Sequence, residues 1–153
     1  MTVGEVCNRD VIIARPETPL VEAAALMKTY HVGDLVVVET RAGNQRIPVG
    51  ILTDRDIALH VASHADRLRH LRVSDRMTGD VVTALESESL HTALKKMQGE
   101  GVRRLPVVNV EGVLEGIVTL DDIIGLLSEE LTDLTRLVIH EQKKERRQRK
   151  ELV

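Results

Sequence analysis

Short β-branched runs alternate with helix-patterned stretches along the chain, and the alternation happens twice. Val11–Ala14 and Val81–Thr83 each read as a brief strand. Apolar positions then fall at Leu20, Ala23, Ala24 and Met27, the spacing of one helical face. Thr18 before Pro19 reads as an N-cap and first-turn pair, and Ser87 or Ser89 fills the cap role in the second copy. Two strands follow in each copy: Leu35–Glu39 with Ile47–Leu52, then Leu105–Val108 with Leu114–Thr119. Arg41-Ala42-Gly43-Asn44 and Asn109-Val110-Glu111-Gly112 between them have hairpin-turn chemistry. A second helix begins at Asp54, and its counterpart at Asp121.

The two stretches are copies of one unit. Asp10-Val11-Ile12-Ile13-Ala14 recurs as Asp80-Val81-Val82-Thr83-Ala84, an offset of 70 residues. The offset carries Leu20 onto Leu90, Met27 onto Met97 and Val37-Val38 onto Val107-Val108. It falls to 66 residues at Gly50-Ile51-Leu52-Thr53 and Gly116-Ile117-Val118-Thr119, so the first copy carries four extra residues within Thr40–Pro48. Residues 1–62 therefore form repeat 1, 63–72 a polar, His-rich linker, 73–130 repeat 2, and 131–153 a C-terminal helix with a basic tail. The fold class is α/β (α+β): two βαββα units packed by a pseudo-twofold. Each is too small to bury a robust core alone, and packing them face to face creates two related clefts.

Composition narrows the chemistry. Hydrophobic residues make up 42% of the 153, with one Tyr and no Phe or Trp. The core is aliphatic, and base-stacking platforms for single-stranded nucleic acid are disfavoured. No apolar run reaches the ~20 residues of a membrane helix, and Met1–Asp10 mixes charges with Cys7 rather than forming a leader. The expected location is cytoplasmic, with Cys7 an ordinary thiol. Net charge is −3, but residues 141–153 hold six cations against three acids. The body is thus acidic and the tail basic.

Chemistry concentrates at one repeated junction. Gly50-Ile51-Leu52-Thr53-Asp54-Arg55-Asp56 and Gly116-Ile117-Val118-Thr119-Leu120-Asp121-Asp122 both read Gly-x-x-Thr-x-x-Asp where a strand meets a helix. The glycine lets the strand pass close to something. The Thr caps the helix or lends its hydroxyl to a ligand. The Asp shares that space and can accept two hydrogen bonds from a ribose diol, while open N–H groups of the first turn favour phosphate. For either junction alone, cap and binding site remain open readings.

With its two junctions, Arg104-Leu105-Pro106-Val107-Val108, and the first strands Ile12-Ile13-Ala14 and Val82-Thr83-Ala84, the repeat resembles the cystathionine-β-synthase-type (CBS) domain family as a tandem pair, over about residues 3–130. The resemblance implies a stand-alone regulatory module that binds an adenosyl compound such as AMP, ADP, ATP or S-adenosylmethionine and requires no cofactor; with no reactive constellation beyond the two junction carboxylates, no catalysis is expected. It assigns ribose and phosphate contacts to Thr53 with Asp56 and to Thr119 with Asp122. Base and phosphate pockets fall to Ile13, Ala14, Thr83 and Ala84, then to Gly33, Asp34, Arg103 and Arg104, with Pro106 shaping the second pocket; Val36 stands at the equivalent place in copy one. It also implies that each cleft combines one copy's junction with the other's pre-strand segment. The Thr53 cleft then sees Arg103 and Arg104, good phosphate ligands, while the Thr119 cleft sees Asp34, and the two are unequal.

The remaining features are weighed against plainer readings. His60 and His64 are spaced for one helix face but lack a third metal ligand, and read as an exposed helix end. Leu127, Leu131, Leu134 and Val138 form a short heptad seam, either packing on the chain's own body or, in the favoured reading, contacting a second copy in a homodimer. The basic tail from Lys143 reads as solvated and frayed, with nucleic acid disfavoured. No output domain is apparent, which implies an unidentified regulated partner acting in trans. The alternative is an interaction module without nucleotide.

Overall fold

The computed structural model describes residues 1–152, with Leu120 starting a second compact unit apart from residues 1–119. In the first unit, α1 (Val3–Val6), β1 (Ile13–Ala14), α2 (Leu20–Tyr30), β2 (Asp34–Arg41), β3 (Gln45–Thr53) and α3 (Asp54–His64) precede a second round of β4 (Ala84–Leu85), α4 (Leu90–Glu100), β5 (Arg104–Val108) and β6 (Leu114–Thr119). Each copy builds a three-stranded mixed sheet, ordered β1-β2-β3 or β4-β5-β6, with a parallel first pair and an antiparallel second pair. The register shifts at the same place in both, between Val37 and Val38 and between Val107 and Val108. The four extra residues lengthen the first hairpin, whose strands have 8 and 9 residues against 5 and 6 in the second.

The first strands are shorter than the β-branched runs suggest. Val11 and Ile12 lie outside β1, and Val81–Thr83 precede β4. The cap reading holds in copy two, where the Ser89 hydroxyl accepts from the Thr92 N–H at 3.1 Å. It fails in copy one, where Pro19 is the N-cap and the Thr18 hydroxyl instead accepts from the Arg15 N–H at 3.0 Å, closing the preceding turn. The linker contains a 3-10 segment, Ala65–His70.

Ala14, Leu20, Ala23, Met27, Leu35, Val37, Leu52 and Ile57 form the first copy's core, joined by Val73 from the start of the second copy. A separate cluster of Val36 and Val38 with Leu114 and Ile117 lies where the two copies meet.

The lead-in of each copy is exchanged. The Val73 N–H donates to the Thr18 carbonyl at 2.8 Å, and Thr78 and Ile51 exchange backbone bonds at 2.9 and 3.1 Å. Symmetrically, Val3 N–H donates to the Glu88 carbonyl at 2.8 Å, and Asn8 and Ile117 exchange two bonds at 2.9 Å. Segment 2–8 thus completes the second copy, and segment 72–78 the first.

In the second unit, α5 (Leu120–Glu151) is one helix of 32 residues. The basic stretch from Lys143 is exposed throughout and helical as far as Glu151. The i,i+4 pair Glu145–Arg149, at 3.5 Å, supports it there. No helix among the described residues is long and apolar enough to cross a membrane.

Candidate functional site

The first junction is locally self-contained. Thr53 ends β3 and caps α3: its Oγ1 accepts from the Asp56 N–H at 3.2 Å, and the Asp56 carboxylate accepts from the Thr53 N–H at 2.9 Å. The Asp54 N–H donates to the Gly33 carbonyl at 2.9 Å, and the Arg55 N–H to Asp54 Oδ1 at 2.7 Å. Every N–H from Thr53 to Asp56 therefore has an acceptor within the protein. This corrects the expectation that open N–H groups of this turn wait for phosphate; an anion here must be met by side chains.

Two of the three guanidiniums available for that come from the other copy. A cavity of about 610 Å3 is bounded by Ile51, Thr53, Asp54 and Arg55 on one side and by Glu100 to Arg104 on the other, with Thr78, Asp80, Val81 and Val82 closing it. The volume suits a nucleoside-sized ligand. Its ionic lining comprises three guanidiniums (Arg55, Arg103, Arg104) and three carboxylates (Asp54, Asp80, Glu100). The expected combination of the Thr53 junction with the Arg103-Arg104 segment is thus present in space. Asp56 does not line this cavity; its carboxylate is turned to the Thr53 N–H.

Arg104 also makes a contact that sequence spacing does not reveal. Its guanidinium lies 3.1 Å from the Asp34 carboxylate, with both side chains mostly buried. The two pre-strand segments therefore touch each other through this pair. Asp34 therefore carries a compensating cation, which lessens the phosphate repulsion expected of it, and Arg104 enters the cavity already paired.

The remaining candidates are scattered. Ala14 and Ala84 are buried strand residues paired with Val37 and Val107. Ile13 packs beside the cluster between the copies. Thr83 is half-buried, and its carbonyl accepts from Lys96 Nζ at 3.1 Å. Pro106 is buried in β5 opposite Ile117, just as Val36 lies opposite Ile51. Thr119 is the last residue of β6, and Asp122 is in the first turn of α5.

The sequence reading passed over Asp80, Val81, Val82 and Glu100 as lining residues. Val81 and Val82 belong to the run that reads as the first strand, and they are left to line the cavity because β4 begins only at Ala84. Asp80 has φ of +49°, a left-handed conformation uncommon outside glycine, and it sits on the cavity wall.

The glycines of the junction face protein, not ligand. A Cβ on Gly50 would stand 2.8 Å from the Thr78 carbonyl oxygen, and one on Gly116 the same distance from that of Asn8. The close approach inferred from the motif is the crossing of the exchanged lead-ins.

His60 departs from expectation. It is 7% exposed, not an open helix end. Its ring stacks on His64 with centroids 5.2 Å apart, and Arg76 Nη2 lies 3.5 Å from its Nε2. Burial, then the neighbouring Arg76 and His64 charges, lower its pKa below the usual histidine value. Among the described residues no group of three or more His, Cys, Asp or Glu is placed to hold a metal. Cys7 is half-buried beside Gly116, and burial pushes its thiol pKa up, against thiolate formation.

Comparison with known proteins gives consistent matches. The CBS domain family model matches residues 3–63 and again 73–129. An uncharacterised protein of Methanopyrus kandleri is 37% identical over 124 residues, covering 81% of this chain, which in turn spans 61% of that protein's length. The CBS domain-containing protein YhcV of Bacillus subtilis is 34% identical over 145 residues, 91% of this chain and 99% of YhcV. Among solved structures, the CBS domain pair of protein MJ0100, in complex with 5′-methylthioadenosine and S-adenosylmethionine, superposes with a TM-score of 0.73 at 28% identity, covering 85% of this chain and 98% of that one.

Proposed function

The chain belongs to the CBS domain family as a tandem pair, and from that premise we propose that it is a non-catalytic regulatory module that binds an adenosyl ligand in the cavity between Thr53 and Arg103-Arg104. The observation that carries this reading is the cavity itself. Its size suits a nucleoside, a hydroxyl stands at one wall, and guanidiniums from the other copy stand opposite. The adenosyl ligands of the MJ0100 domain pair support the ligand class. Aliphatic Ile51, Val81, Val82 and Val102 supply the apolar surface for a base, and Arg103 and Arg104 the charge for phosphate. Ile13, Ala14, Thr83, Ala84, Pro106, Thr119 and Asp122 remain proposed contributors, with the second cleft the weaker for phosphate. The signal passes to a partner protein or to the module's own oligomer, because binding energy favours whichever arrangement holds ligand better.

Calorimetry with AMP, S-adenosylmethionine and adenosine tests the assignment. Arg103→Ala and Arg104→Ala should each weaken AMP at least about tenfold, the worth of one charge-assisted hydrogen bond, and weaken adenosine much less. Unchanged AMP affinity in Arg104→Ala would sink the phosphate assignment.

A second reading has its own support. Thr53 and Asp56 already satisfy each other as a cap, an arrangement a purely structural module also needs. Thermal shift separates the two, since ligand at 100 times its dissociation constant adds about 2.7 kcal/mol of stability. No shift with any adenine compound leaves the structural reading standing.

A further inference from the structure

The ladder of β2 with β3 puts the Asp34 carboxylate beside a cavity to which the family pattern does not allot it. Asp34 and Arg104 open β2 and β5 at equivalent places in the two copies, 70 residues apart. The resemblance gives Asp34 to the Thr119 cleft and Arg104 to the Thr53 cleft. In the ladder, however, Asp34 is the direct partner of Thr53. Directly paired strand residues project from the same face of the sheet, with Cβ atoms about 5 Å apart. Asp34 therefore stands beside the Thr53 wall of the cavity. It does not line that cavity, but it grips a group that does: Arg104 Nη1 lies 3.1 Å from Asp34 Oδ2, with the two side chains 29% and 23% exposed. A pair so shielded from water is screened little by salt. With Asp34 counted beside the lining residues, carboxylates outnumber guanidiniums by four to three.

We infer that Asp34 is a positioning residue that sets which adenosyl ligands the Thr53 cavity prefers: by holding Arg104, it lowers the advantage of a phosphorylated ligand over an uncharged one. A phosphate drawing on Arg104 must share its guanidinium with a carboxylate already bonded to it. The phosphate also meets the field of that carboxylate at close range. An uncharged adenosyl group meets neither cost. The arrangement favours adenosyl ligands of low negative charge, and loss of the Asp34 charge turns the cavity toward nucleotides. This role rests on the adenosyl reading above, and adds to it a gain of phosphate preference when a carboxylate is removed.

Calorimetry of the full chain with AMP and with adenosine tests it, read as the ratio of the two affinities. Asp34→Asn should raise the AMP-to-adenosine ratio at least about threefold, the effect of removing one partly screened unit charge from the neighbourhood of a phosphate. Asp34→Thr removes the same charge with a side chain that favours strands, and should raise the ratio likewise. It keeps the test open if the first variant does not fold. Asp34→Glu keeps the charge and should hold the ratio at its wild-type value. General loosening of the site would weaken both ligands and leave the ratio where it was. A ratio that neither neutral variant raises, in protein that still binds adenosine, overturns the role of Asp34 and leaves the adenosyl reading intact. An equal rise in Asp34→Glu overturns it too, since the charge is then not the cause. Wild-type protein that binds neither ligand overturns both readings together.

Discussion

At the scale of single residues, the junction glycines are held by packing. Gly50 and Gly116 sit where β3 and β6 are crossed by the exchanged lead-ins, and a Cβ on either meets a backbone carbonyl oxygen at 2.8 Å. A sulfur also stands 2.7 Å away in each case, from Met77 or Cys7. A side chain can swing aside, but a carbonyl fixed in a two-bond bridge cannot. Gly50→Ala and Gly116→Ala should each cost about 1–3 kcal/mol, the usual cost of overpacking. Gly79→Ala is the control, because nothing lies within 4 Å of its added Cβ. Chemical denaturation checks all three, and equal stability of the Gly50 and Gly79 variants would remove the crossing as the reason for glycine. The same scale shows where sequence reading stops. Spacing joined Thr53 to Asp56, and family resemblance joined the Thr53 junction to Arg104. Neither revealed that Arg104 is paired with Asp34, because that ion pair depends on how the two copies approach each other.

At the scale of elements, the sequence was legible wherever a local rule decided the outcome. Hydrophobic spacing placed α2 and α4, and the repeat offset placed both hairpins. Legibility was lost at strands set by tertiary pairing: β1 and β4 are two residues each, bounded by what β2 and β5 can pair with rather than by propensity. The fate of α3 also depended on remote chain. Its His60 is buried beside Arg76, a residue sixteen positions on, in the exchanged lead-in of copy two. That burial has a consequence for pH. The folded protein holds His60 below its ordinary pKa, so the unfolded chain binds its proton more readily. Stability therefore rises with pH between the lowered folded value and the unfolded value of about 6.5, and is lost as pH falls through that window. Thermal melts from neutral pH down to pH 5 should show a steeper loss for wild type than for His60→Gln. Identical slopes would mean that His60 titrates as it does in the unfolded chain.

At the scale of the whole chain, the exchange of lead-ins makes residues 1–119 one cooperative body built from two copies. Val3 is fully buried, and its segment gives the second copy four backbone hydrogen bonds, at Glu88, Glu86 and twice at Ile117. Segment 72–78 gives the same service to the first. Repeat boundaries drawn from sequence similarity alone cut through this arrangement, since similarity records which residues correspond and not which copy they pack on. The consequence is testable by truncation. Removing residues 1–8 leaves the whole of the second copy's own sequence in place, so independent copies would tolerate the loss. The exchanged arrangement predicts otherwise. Burial of Val3 alone is worth about 1.5–3 kcal/mol, and the edge of β6 loses its partner at Asn8. A loss of about 3 kcal/mol is a large share of a small domain's total stability and lowers Tm by about 10 °C. Because the second copy's pre-strand segment forms one wall of the cavity, the truncated chain should also bind AMP less tightly. Hydrogen exchange then locates the damage. The exchanged arrangement requires protection to fall first in β4, β5 and β6, far from the cut in sequence. Loss confined to the residues next to the new terminus would show that the lead-in is a peripheral arm.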